Sequence, residues 1–78
     1  PNPASEYIIL ELSRETAHQA QAVELYDSSG KRVWREALSA QLRVRIPLAG
    51  LAQGVYGCRV VLKGGEALSG RFVVGRGR

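Results

Sequence analysis

Leu25-Tyr26 and Lys31-Arg32-Val33 flank Asp27-Ser28-Ser29-Gly30, and this arrangement limits the fold more than any other stretch of the chain. Asp favours the first position of a type I turn because its carboxylate accepts from nearby backbone amides, and Gly supplies the left-handed residue of a bulged hairpin. An antiparallel strand pair is therefore written into the middle of the chain. Leu51-Ala52-Gln53-Gly54-Val55-Tyr56 then leads into a run whose apolar residues alternate. Together the two stretches predict a small all-β sandwich.

The rest of the chain reads as strands separated by turn chemistry. In Tyr7-Ile8-Ile9-Leu10-Glu11-Leu12, residues Ile8, Leu10 and Leu12 share one face. Strands two and three run from Ala22 to Tyr26 and from Lys31 to Leu38 around the central turn. Leu42, Val44 and Ile46 alternate with Arg43 and Arg45 in a half-buried strand ended by Pro47. Tyr56, Cys58, Val60 and Leu62 form one face of a longer strand, Lys63-Gly64-Gly65-Glu66 reads as a two-residue hairpin loop, and the last strand covers Ala67 to Val74. Ser13 could cap a helix, but Ser13 to Gln21 is expected to be a loop, since Ala17, Ala20 and Ala22 make too narrow an apolar face to anchor one. The fold class expected is an immunoglobulin-like antiparallel β-sandwich of about six to seven strands, the seventh near Pro3.

With 78 residues, one domain is expected, near the lower limit at which a single core is stable. The 45% hydrophobic and 23% charged content suits a folded domain rather than a disordered tail. A net charge of +4, carried mainly by nine arginines, favours an acidic partner. The sequence carries no basic leader and no apolar run long enough to span a membrane, and Pro1-Asn2-Pro3 suggests a domain excised from a longer parent. The single cysteine, Cys58, has no partner for an internal disulfide.

No catalytic, cofactor or metal site is legible. Asp27, Ser28, Ser29 and His18 hold the residue types of a hydrolytic triad, but the first three are committed to a turn and nothing orients the histidine. One histidine and one thiol do not make a metal site, and Gly64-Gly65 joins two strands rather than opening a phosphate-binding helix. Cys58 shares a face with Val60 and Leu62 and reads as a buried apolar thiol, and Trp34 as core filler rather than a sugar platform. Arg32, Arg35, Arg43, Arg45 and Arg59, with Tyr26 and Trp34, offer a competing reading as a nucleic-acid-binding barrel face, against which Glu24, Glu36 and Glu66 interrupt the charge. An immunoglobulin-like adhesive or carbohydrate-binding appendage is the other competitor.

Gly54-Val55-Tyr56-Gly57-Cys58 is similar to the Gly-x-Tyr-x-Cys string of immunoglobulin domains, where the tyrosine hydroxyl ties a strand back to the preceding loop. The absence of a second cysteine makes this a shared device and not membership. A wider resemblance covers nearly the whole chain. Pro1-Asn2-Pro3-Ala4-Ser5, Leu25 to Val33, Leu48 to Tyr56, and Arg71-Phe72-Val73-Val74, in this order and spacing, resemble the type A C-terminal sorting domain of the type IX (Por) secretion system of Bacteroidetes.

That resemblance implies an address rather than a catalyst. The parent would pass through the periplasm, be read by the outer-membrane translocon, be cut by a sortase-like peptidase near Pro1 to Pro3, and reach the cell surface, with cargo often joined to anionic lipopolysaccharide. Some family members keep the domain as a docking module of the machinery. The resemblance assigns translocon recognition to Arg71, Phe72, Val73 and Val74, and motif roles to Gly54 and Tyr56 beside the turn residues Asp27 and Gly30. Gly57, Cys58 and the Gly75-Arg76-Gly77-Arg78 extension depart from the family pattern. A last strand at a sheet edge would offer backbone groups for strand addition by a receptor, or for exchange between two chains in a swapped dimer.

Overall fold

The structure, a computed structural model, describes residues 6–75. Six strands and one short helix follow in the order β1 (Tyr7–Glu11), α1 (Arg14–Gln19), β2 (Ala20–Tyr26), β3 (Arg32–Ala37), β4 (Arg43–Pro47), β5 (Gly54–Leu62) and β6 (Ala67–Val74). All pairings are antiparallel, and they make two sheets, β1-β4 and β3-β2-β5-β6. The expected all-β sandwich is what forms. Pro3, near which a seventh strand was expected, lies outside the described residues.

In β1 and β4 burial follows strand parity. Val44 and Ile46 of β4 are buried while Arg43 and Arg45 are exposed, and Ile8 and Leu10 of β1 face inward while Tyr7, Ile9 and Glu11 face out. The kernel between the sheets is built from Val23, Leu25, Val44, Ile46, Leu48 and Val74, with Tyr56 and Val60. Burying each large aliphatic contributes on the order of 1.5–3 kcal/mol. Trp34 pairs with Leu25 across β2–β3 and packs against this kernel, as core filler should. Pro47 closes β4 on an edge, where its missing N–H costs no ladder bond.

Residues 14–19 form a helix where a loop was expected. The Ser13 side chain caps it by accepting from the Thr16 N–H at 3.1 Å, and Lys63 N–H donates to Gln19 C=O at 2.9 Å at its other end. A six-residue helix needs only one buried residue, Ala17, when a cap and a tertiary bond hold its two ends. Ala20 and Gln21, expected in the loop, belong to β2, which extends the expected Ala22 to Tyr26 strand by two residues; its register shifts between Ala20 and Ala22.

Both tight hairpins use the same three-residue device. Gly30 N–H donates to Asp27 C=O at 3.0 Å and Asp27 N–H to Lys31 C=O at 2.9 Å; Gly65 N–H donates to Leu62 C=O at 2.9 Å and Leu62 N–H to Glu66 C=O at 2.8 Å. Gly30 and Gly65 occupy left-handed backbone, φ 88° and 93°, which glycine adopts without a Cβ penalty. The β5–β6 loop is therefore not the expected two-residue turn with two left-handed glycines: only Gly65 takes positive φ, and Lys63, Gly64 and Gly65 all lie between the paired residues.

Candidate recognition edge

The Gly-x-Tyr motif and the terminal basic-then-apolar motif are register partners. Gly54 pairs with Val74, Tyr56 with Phe72, and Gly57 with Arg71 across β5–β6. The Tyr56 hydroxyl donates to Ala52 C=O at 2.6 Å, the expected tie between strand and preceding loop. Its ring stacks on Phe72 with centroids 5.9 Å apart and planes 23° apart. The corner thus holds β5, and β5 holds the last strand. Asp27 sits close by: the Asp27-Ser28-Ser29 turn and the Ala52 to Tyr56 corner line one shallow hollow. Asp27 Oδ1 accepts from Ser29 N–H, Ser29 Oγ and Lys31 N–H at 2.9, 2.7 and 3.0 Å, which accounts for a carboxyl held below its ordinary value, chiefly by Ser29.

Among the described residues β6 has β5 on one side and no strand on the other. Antiparallel ladders alternate between pairs that exchange backbone bonds and pairs that do not. Because Leu62 N–H bonds Glu66 C=O, residues 68, 70, 72 and 74 direct their backbone groups to β5, and Ala67, Ser69, Arg71 and Val73 direct theirs to the free edge. Side chains alternate on the same period: Val74 is buried and Phe72 half-buried, while Arg71 and Val73 are exposed.

An open apolar cleft of about 310 Å³ runs under this edge, lined by Ile8, Ile9 and Leu10 of β1 and by Cys58, Leu68 and Phe72, among others. Cys58 is half-buried rather than fully buried, and burial raises the pKa of its thiol. Sequence reasoning missed the cleft. The apolar Leu68, in phase with Phe72 and Val74, was the available signal.

The strand arginines divide between two surfaces. Arg32 Nη1 and Arg35 Nε lie 3.2 and 3.5 Å from Glu24 Oε2, and the Tyr26 hydroxyl donates to Glu24 Oε1 at 2.6 Å. Glu24 is only 8% exposed, and the Tyr26 bond, opposed by burial and aided by Arg32, holds its carboxyl below the ordinary value; the same bond raises the Tyr26 hydroxyl. Arg59 is the cross-strand partner of Glu24, and Arg71 lies in the row of Gly57 and Tyr26, so Arg32, Arg35, Arg59 and Arg71 share the outer face of the larger sheet. Arg43 and Arg45 lie on the other sheet, Arg43 3.5 Å from Glu11 and Arg45 over the Tyr7 ring at 4.3 Å. The seven aromatic and basic residues weighed for a nucleic-acid face do not converge, since Trp34 turns inward.

Among the described residues no group of three or more His, Cys, Asp or Glu is placed to hold a metal, and no helix is long and apolar enough to cross a membrane. His18 is exposed in the last turn of α1. Pro1, Asn2, Pro3 and the Arg76-Gly77-Arg78 tail lie outside the described residues.

No curated protein and no solved structure shows significant similarity to the chain. The family model described as the secretion system C-terminal sorting domain matches residues 1–75. With 75 of 78 residues matched, the chain belongs to the secretion system C-terminal sorting domain family, the sorting tails of type IX export.

Proposed function

We infer that this domain is a non-catalytic address that takes the protein carrying it through the type IX outer-membrane translocon, and that β6 is the element read. The observation that carries this reading is the free edge of β6, which bears Arg71-Phe72-Val73-Val74. Strand addition uses main-chain bonds for affinity and alternate side chains for specificity, and β6 offers both. The kernel and the Tyr56 corner serve to present that edge. On this reading the parent transits the periplasm, a sortase-like peptidase cuts near Pro1 to Pro3, and cargo is joined to anionic lipopolysaccharide at the cell surface. A machinery component would instead retain the domain as a docking module.

Residues 1–78 fused behind an exported fluorescent reporter test this in a type IX-competent host. Surface delivery is expected, and is expected to vanish in a translocon-null strain and on deletion of residues 71–78. Because that deletion also removes Val74 from the core, Ser69→Pro is the companion variant: it removes an edge N–H without touching the kernel. Delivery in the null strain, or undiminished delivery of both variants, overturns the reading.

A further inference from the structure

We propose that the partner of β6 is an extended segment in which aliphatic residues alternate with outward positions, the one opposite Arg71 being Asp or Glu. This rests on the reading of β6 as the recognised strand and specifies the chemistry of its partner.

Three features define that chemistry. Ala67, Ser69, Arg71 and Val73 present their backbone groups to the free edge, so an added strand extends the larger sheet in register with them. Side chains of paired residues project to the same face. On the inner face the added strand meets the apolar cleft under Leu68, which is 49% exposed, lined on the β1 side by Ile8 and Leu10; aliphatic side chains there would cover Leu68 and exclude water. On the outer face it meets Arg71 and Val73.

Arg71 has no ion pair among the described residues. Gly57, opposite it on β5, offers no side chain to brace it. The one carboxylate of this face, Glu24, is already shared by Arg32 and Arg35. A partner carboxylate opposite Arg71 would complete a pair that the domain leaves half-made, whereas a lysine there would be repelled. A second copy of β6 fits poorly, because Ala67 to Val74 holds no acid and self-pairing centred on Arg71 sets like charges against each other.

The probes are two eight-residue peptides, one alternating Val and Glu and one alternating Val and Lys, titrated into the 78-residue chain. Fluorescence anisotropy reads affinity, and amide hydrogen exchange reads location. The Val–Glu peptide is expected to bind at least about tenfold tighter and to slow exchange at Ser69, Arg71 and Val73. Arg71→Glu, at an exposed site outside the core, is expected to reverse the preference, and Arg71→Gln to abolish it. Equal binding of the two peptides, a preference that survives Arg71→Glu, or protection confined to β1 or β3 overturns the proposal. So does a concentration-dependent dimer that protects the same three amides with no peptide present.

The reporter assay separates the two readings. Peptide preference for Val–Glu with export indifferent to β6 removes the translocon reading and keeps the partner chemistry. Export that requires β6 yet is unchanged by Arg71→Glu does the reverse.

Discussion

Tyr56 and Phe72 face each other across the β5–β6 ladder with ring centroids 5.9 Å apart. One residue belongs to the motif that turns the chain into the core and the other to the strand left at the edge. Through this contact the loop anchored at Ala52 is tied to the last strand, β6. Tyr56→Phe keeps the stack and removes only the hydroxyl bond to Ala52 C=O. It should cost about 1–2 kcal/mol, read as a lower urea midpoint with an unchanged slope. A variant as stable as the parent would show that the tie does not hold the corner.

The two glycines of the β5–β6 loop should behave differently. Gly65 needs left-handed backbone and has open space around its would-be Cβ, while at Gly64 a Cβ would meet only Glu66 Oε1 at 3.8 Å. Gly65→Ala is expected to lose about 1–2 kcal/mol, and Gly64→Ala to be neutral or slightly stabilising. Equal losses at both positions would favour a two-residue turn.

Ala40 is the non-glycine residue with positive φ among the described residues, at 64°. Ala40→Gly relieves that conformation at the expense of unfolded-chain entropy, and the net should be a gain of about 0.5–1 kcal/mol. Thermal unfolding measures it, and a lower midpoint contradicts the assignment.

Glu24 gives the fold an acid limit. Its carboxyl is held below the ordinary 4.5, first by the Tyr26 hydroxyl and then by Arg32, against the opposing effect of burial. The native state therefore favours the charged form, so the contribution is complete above pH 4.5 and is lost as pH falls through the lowered native value. Glu24→Gln should remove this part of the pH dependence and leave that of Asp27, which has the same sign. Urea midpoints from pH 7 down to about 2.5 test it; parallel acid limbs for parent and variant would exclude Glu24 as a contributor.

The strands and the central turn were legible because each rests on short-range chemistry. Val44 and Ile46 alternate with arginines, and Asp27 and Gly30 each have a backbone task that few residues perform. The helix was only half legible: the Ser13 cap is local chemistry, but α1 also depends on the bond from Lys63, which is distant in sequence. The five arginines grouped by sequence alone were split because Arg43 and Arg45 pair with β1 while Arg32, Arg35 and Arg59 surround Glu24.

Period-two alternation tells which side of a strand faces the core, and residues 7–12, 42–46 and 56–62 declare that side without help from the rest of the chain. Alternation is silent on lateral neighbours. That β6 stands at an edge, with Arg71 outward and Leu68 over an apolar cleft, follows from the order β3-β2-β5-β6. That order is settled by which long-range pairings bury the most apolar surface together, a property of the assembled sheets and not of any one strand.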